Sequence, residues 1–164
     1  MTETPLTPAR LWKHMTSDQR SRAARAFWSD PEATDDQIQA VVLIAQQKKF
    51  RAKTVIGLDV DRKSRHLASI ASLPDTLAAR ALILYHLADH RPMMGAFLDE
   101  LGITHKEGLI EEENAKPDAK KLAPATAAIG KKFPAEDVSL YLNTLLCQDP
   151  ETWEGLREVE QRKG

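Results

Sequence analysis

Cys147 is the only cysteine in the chain, so no internal disulfide can brace the fold. Its setting among leucines in YLNTLLCQ marks it as a small buried hydrophobe rather than a nucleophile, because burial raises a thiol pKa. Glycine is scarce too, at seven residues, and no G-x-G-x-x-G is present to let a backbone approach a phosphate. The nearest stretch to a P-loop, AIGKKF, has Ala125 where the earlier glycine belongs and Lys132 where a magnesium-binding Ser or Thr belongs. C-x-x-C pairs, EF-hand loops and G-x-S-x-G elbows are missing, which removes the common structural-zinc, calcium and acyl-transfer signatures. No apolar run approaches the length of a membrane span, and the opening MTETPLTPAR has no apolar h-region. The expectation is a cytoplasmic chain with no membrane partner.

What is present reads as helix. Most of the nine prolines stand just before or just inside an amphipathic stretch, at 8, 31, 74, 92, 117, 134 and 150, where a missing N–H does no harm to a first turn. TSDQ at 16–19 and TDDQ at 34–37 have capping-box spacing. Apolar stripes run through Ile38, Val41, Val42 and Ala45, through Met94, Phe97, Leu98 and Leu101, and through Val138, Tyr141, Leu142 and Leu145. The one β-branched run, KTVIGLDV, is short, carries Gly57 and has no second strand to pair with. The pattern predicts an all-α fold, a single domain over residues 1–164, with helices near 8–15, 17–29, 35–48, 61–72, 75–89, 92–101, 118–132 (bent or broken at Pro124), 135–147 and 150–162. TLAARALILYHLA is apolar almost all round and marks 75–89 as the central helix of an irregular bundle. A short α-solenoid of degenerate helix pairs is the alternative. Residues 103–117, ITHKEGLIEEENAKP, read as an irregular and mobile connection.

Net charge is −1, but residues 1–91 carry 14 Lys/Arg against 10 Asp/Glu while 92–164 carry 9 against 14. The densest basic stretch sets Lys48, Lys49, Arg51, Lys53, Arg62, Lys63 and Arg65 against Asp59 and Asp61. Such a footprint suits nucleic acid, yet only Phe50 is at hand for base stacking and the pI of about 6.5 is low for that class. A solvated rim is the favoured account.

The densest cluster of chemistry is YHLADHRPMMG, residues 85–95. His86 and His90 share a helical face at i, i+4, the spacing of helical zinc sites, with Asp89, Asp75 or one of Glu111, Glu112 and Glu113 as the candidates to complete a sphere. H-E-x-x-H fails, since Leu87 follows the first histidine. Histidines near a helix C-terminus are also explained by the dipole alone. A helix started by Pro92 would aim the N–H groups of Met93, Met94 and Gly95 toward Arg91 and His90, a corner that suits an anion and repels a cation. Met94 reads as core and Met93 as gap-filler or groove lining, while Trp12, Trp28 and Trp153 read as packing residues. The leading expectation is a non-catalytic binding protein without cofactor, taking a small anion or a protein partner through His86, His90, Arg91, Met93 and Gly95. A small metal-dependent hydrolase using His86, His90 and Asp89 is the alternative, and a nucleic-acid binder working through residues 48–66 is the third reading.

Overall fold

The computed structural model describes residues 6–112 and 115–157. These form an all-α fold of the helical-bundle class, with a single two-stranded hairpin among the described residues. In chain order the elements are α1 (Pro8–His14), α2 (Ser17–Ser29), α3 (Thr34–Lys48), α4 (Ala52–Ile56), α5 (Val60–Ala68), α6 (Asp75–Asp89), α7 (Arg91–Leu101), β1 (His105–Lys106), β2 (Leu109–Ile110), α8 (Ala119–Lys132) and α9 (Ala135–Gln148). Close contacts divide the chain into two compact units: Thr7–Ala88, and Asp89–Gly164 together with Met1–Leu6.

The 7–88 unit shows how local chemistry sets element ends. The Thr7 hydroxyl accepts the Arg10 N–H at 3.2 Å, with Pro8 in the first turn. Thr16 and Gln19 form the expected reciprocal capping box, both bonds 3.0 Å. The box expected at 34–37 does not form. Ala33 caps α3 with no side-chain bond, and the Gln37 amide instead donates to the carbonyls of Phe27 at 2.9 Å and Asp30 at 2.8 Å. The orphan carbonyls at the end of α2 thus outcompete the N-terminus of Gln37's own helix. Helix α3 is also rotated from the expected stripe: Ala40, Val41 and Ile44 are buried, whereas Ile38 and Val42 are exposed.

KTVIGLDV supplies a short helix, α4, that periodicity did not predict, and α5 stops at Ala68, short of 72. Beyond that end, Trp12 Nε1 donates to the Ile70 carbonyl at 2.7 Å, holding the segment out of helix. Helix α2 packs chiefly on α5, three elements away, and the two helices bury small residues, Ala23 and Ala24 on α2 and Ser64 on α5. Such non-neighbour pairing is bundle packing, not the nearest-neighbour stacking of a solenoid. Helix α6 has the expected bounds and buries Leu77, Ala78, Ala81, Leu82, Tyr85 and His86. The Asp75 carboxylate accepts the Ala9 N–H at 3.0 Å and so helps cap α1.

In the other unit, α7 packs on α8, and α8 runs unbroken past Pro124. Phe97 meets Tyr141 edge-to-face at 5.8 Å and lies 6.1 Å from Trp153. Met93, Leu98, Leu122, Ile129, Leu142 and Leu156 fill the same core. The segment 103–117 is not wholly irregular. His105 pairs with Ile110 and Lys106 with Leu109 across a two-residue turn in which Glu107 (φ 52°) and Gly108 (φ 92°) both have positive φ, as a type I′ turn requires. Glu113 and Asn114 lie outside the described residues. Residues 150–154 are turns, and of the helix expected over 150–162 one turn at 155–157 is seen, 158–162 lying outside the described residues. Cys147 is only partly buried, on a less covered side of α9 than its leucine neighbours.

Candidate functional site

The anion corner anticipated from YHLADHRPMMG spans the division between the two compact units. The boundary between the compact units falls between Ala88 and Asp89, so His86 belongs to one unit and Asp89, His90, Arg91, Met93 and Gly95 to the other. His86 is 2% exposed and stacks on Tyr85 with ring centroids 5.7 Å apart. His90 is the N-cap of α7, its Nε2 3.6 Å from the Asp137 carboxylate in the first turn of α9. Its carbonyl accepts the Met94 N–H at 2.9 Å, so that donor, expected to be free, belongs to the helix. Met93 is 1% exposed and fills core, as does Met94.

Arg91 and Gly95 do line an open cavity of about 440 Å³, together with Pro92, Ala96, Asp99, His105 and Glu107. The hairpin has already furnished it. Arg91 Nη1 donates to the Glu107 carboxylate at 3.2 Å. The His105 ring lies over Gly95, where an added Cβ would meet Cε1 at 3.1 Å. Glycine at this place in the helix admits a side chain of the chain itself. Nδ1 of His105 accepts the Gly108 N–H at 3.1 Å, which leaves Nε2 to carry the proton it donates to Asp99 Oδ1 at 2.8 Å. With both nitrogens engaged, His105 staples the hairpin to the helix. Two carboxylates, Asp99 and Glu107, face the single guanidinium here, so the cavity offers an anion little net attraction.

Among the described residues, no group of three or more His, Cys, Asp or Glu side chains is placed to hold a metal ion. Asp75 is engaged at α1, and Glu113 lies outside the described residues.

A second cavity, about 300 Å³, opens between α2 and α5 in the 7–88 unit, lined by Ser21, Arg22, Arg25, Asp61, Ser64 and Arg65. Its origin is the close helix contact. Short side chains at 21 and 64 leave a floor, and arginines at i, i+3 on α2 and on the facing side of α5 form the rim. Arg25 pairs with Asp61 across the helices, and Arg22 pairs with Asp18 along α2 at 3.0 Å. Arg65 has no carboxylate partner among the described residues. Ser64 is 5% exposed, and its hydroxyl has no hydrogen-bond partner among the described residues. Sequence reasoning counted Arg65 but missed Arg22, Arg25 and Ser64. The signal available was the Arg22–Arg25 spacing in SDQRSRAAR, which puts two guanidinia on one helical face.

The remaining residues of the basic stretch spread around α5. Lys63 lies over the Trp28 ring at 5.4 Å, Arg62 is 3.9 Å from Asp59, and Lys48, Lys49, Arg51 and Lys53 are exposed. Phe50 meets His66 edge-on at 5.4 Å. Burial, with the charges of Lys48 and Arg65, holds the His66 imidazole below its ordinary pKa.

The chain matches no family model, and neither a curated protein nor a solved structure resembles it closely enough to carry an argument.

Proposed function

We propose that the chain is a non-catalytic helical binding protein for an oxyanion of the phosphate class, held in the α2–α5 groove. One observation carries the reading: three arginines line a cavity with a single lining carboxylate, beside a buried serine hydroxyl that has no partner among the described residues. Guanidinium forks match the oxygen spacing of a phosphoryl group and bind it in pairs, which a cluster of lysines does less well. With Asp61 bound to Arg25 and Asp18 to Arg22, Arg65 is the anchor left for a guest. A rotation of the Ser64 χ1 angle supplies a further donor at the floor. The sequence-level expectation of an anion is kept, and its place moves from the α7 corner to this groove, where net charge favours it.

Thermal-shift measurements with inorganic phosphate and pyrophosphate at low salt test the reading. Both ions are expected to stabilise the parent, and the shift is expected to disappear in Arg65→Ala while persisting in Arg91→Ala. Stabilisation that survives in Arg65→Ala, or that vanishes in Arg91→Ala, refutes the groove as the site.

A further inference from the structure

Resting on the oxyanion reading, we infer that the groove's ligand is single-stranded nucleic acid: a backbone phosphate seated between α2 and α5, and a neighbouring base stacked on Phe50. Helix α5 carries both halves of such a site. Its Asp61, Ser64 and Arg65 line the groove, and the next residue, His66, meets the Phe50 ring in a T-shaped contact. The other aromatic residues of the 7–88 unit (Trp12, Phe27, Trp28 and Tyr85) are buried and explained by packing. Phe50 remains 39% exposed in spite of its contact with His66.

The loop that carries Phe50 is tied to the end of α3. Lys49 takes left-handed backbone (φ 62°), and the Phe50 N–H bonds the Ala45 carbonyl at 3.0 Å, closing the end of α3. This exposed ring is flanked in sequence by Lys48, Lys49 and Arg51, and Arg62 lies one turn from His66 on α5. An aromatic face bordered by cations suits sequence-tolerant binding of unpaired bases, since every base offers a π-face and every nucleotide a phosphate. Paired bases in a duplex are stacked on each other and unavailable to the ring, so the strand must be single.

Fluorescence anisotropy with a labelled oligothymidylate of about twelve nucleotides, within the usual span of such sites, tests this on the full chain. Binding is expected at low salt and should weaken steadily as salt rises. Phe50→Leu keeps an apolar side chain but removes the ring. It should weaken oligonucleotide binding about 5- to 100-fold while leaving pyrophosphate binding and the melting temperature unchanged, and Phe50→Trp should restore it. Arg65→Ala should weaken both ligands. Parent-like oligonucleotide binding by Phe50→Leu overturns the inference, as does equal affinity for a duplex of the same length or displacement by polyglutamate at matched charge. A protein that binds pyrophosphate but no oligonucleotide loses this inference and keeps the groove. One that binds neither loses both.

Discussion

Ser64 sets the residue scale, because a buried hydroxyl without a partner is destabilising and invites an explanation. Replacing it by alanine removes the unsatisfied group and improves helix propensity, so Ser64→Ala is expected to raise unfolding free energy by about 1 kcal/mol in denaturant titration. The same variant should lose part of the stabilisation by pyrophosphate. That opposite pair of signs separates a ligand-facing hydroxyl from an inert one. Gly95 makes a second test. An alanine methyl would press on a His105 ring that is pinned at both nitrogens and cannot swing aside, so Gly95→Ala should destabilise by about 1 kcal/mol despite alanine's better helix propensity. With His105→Ala already in place, the sign should reverse to stabilisation of similar size, a coupling that a double-mutant cycle reads directly. His66 is held below its usual pKa, so its neutral form is favoured in the fold. That contribution is present above the unfolded value of about 6.5 and is lost as pH falls through the lowered folded value. Chemical denaturation between pH 7.5 and 5.5 should therefore show stability declining with acidity, and His66→Gln should flatten part of the decline.

At the scale of elements, the hairpin is the piece that sequence periodicity could not reveal, since two residues per strand establish no alternation. Its signal was the Glu107–Gly108 pair, which lacks the asparagine or aspartate of the commonest two-residue turns. Gly108 is required twice over. Its φ of 92° suits glycine, and a Cβ there would stand 2.7 Å from Met94 Cβ on α7. Gly108→Ala is accordingly expected to destabilise by about 2–4 kcal/mol in thermal or denaturant unfolding, adding left-handed strain to overpacking. The hairpin's role is to occupy the α7 corner, placing Glu107 on Arg91 and His105 on Gly95. Helix starts were legible because caps are local: Thr7 and Thr16 act within three residues of themselves. Gln37 escaped because its partners belong to the preceding helix.

For the whole molecule, charge follows the division into compact units. Residues 7–88 hold 13 Lys/Arg against 8 Asp/Glu, a balance of +5, and the rest of the chain holds 10 against 16, a balance of −6. The arginine groove lies in the positive unit, whose field favours approach of an anion and is screened as salt rises. Amide chemical-shift changes on titrating pyrophosphate should therefore concentrate in α2 and α5 and leave α7 and the hairpin unmoved. Changes centred on Arg91 would return the site to the corner that the sequence first suggested.

Sequence alone determined what is periodic or short-ranged. The all-α class, the bounds of α6, the proline-led starts of α1 and α7, and the buried stripes of α7 and α9 all follow from apolar spacing and from caps acting within one turn. Tertiary structure decided what depends on partners distant in the chain. Which face of α3 is buried, what covers Gly95, and whether Arg91 is free turned on contacts that no local pattern encodes. The groove is the clearest case. Arg22, Arg25 and Arg65 are ordinary surface residues when read along the chain, and they line one cavity only because α2 packs on α5, a consequence of packing rather than propensity.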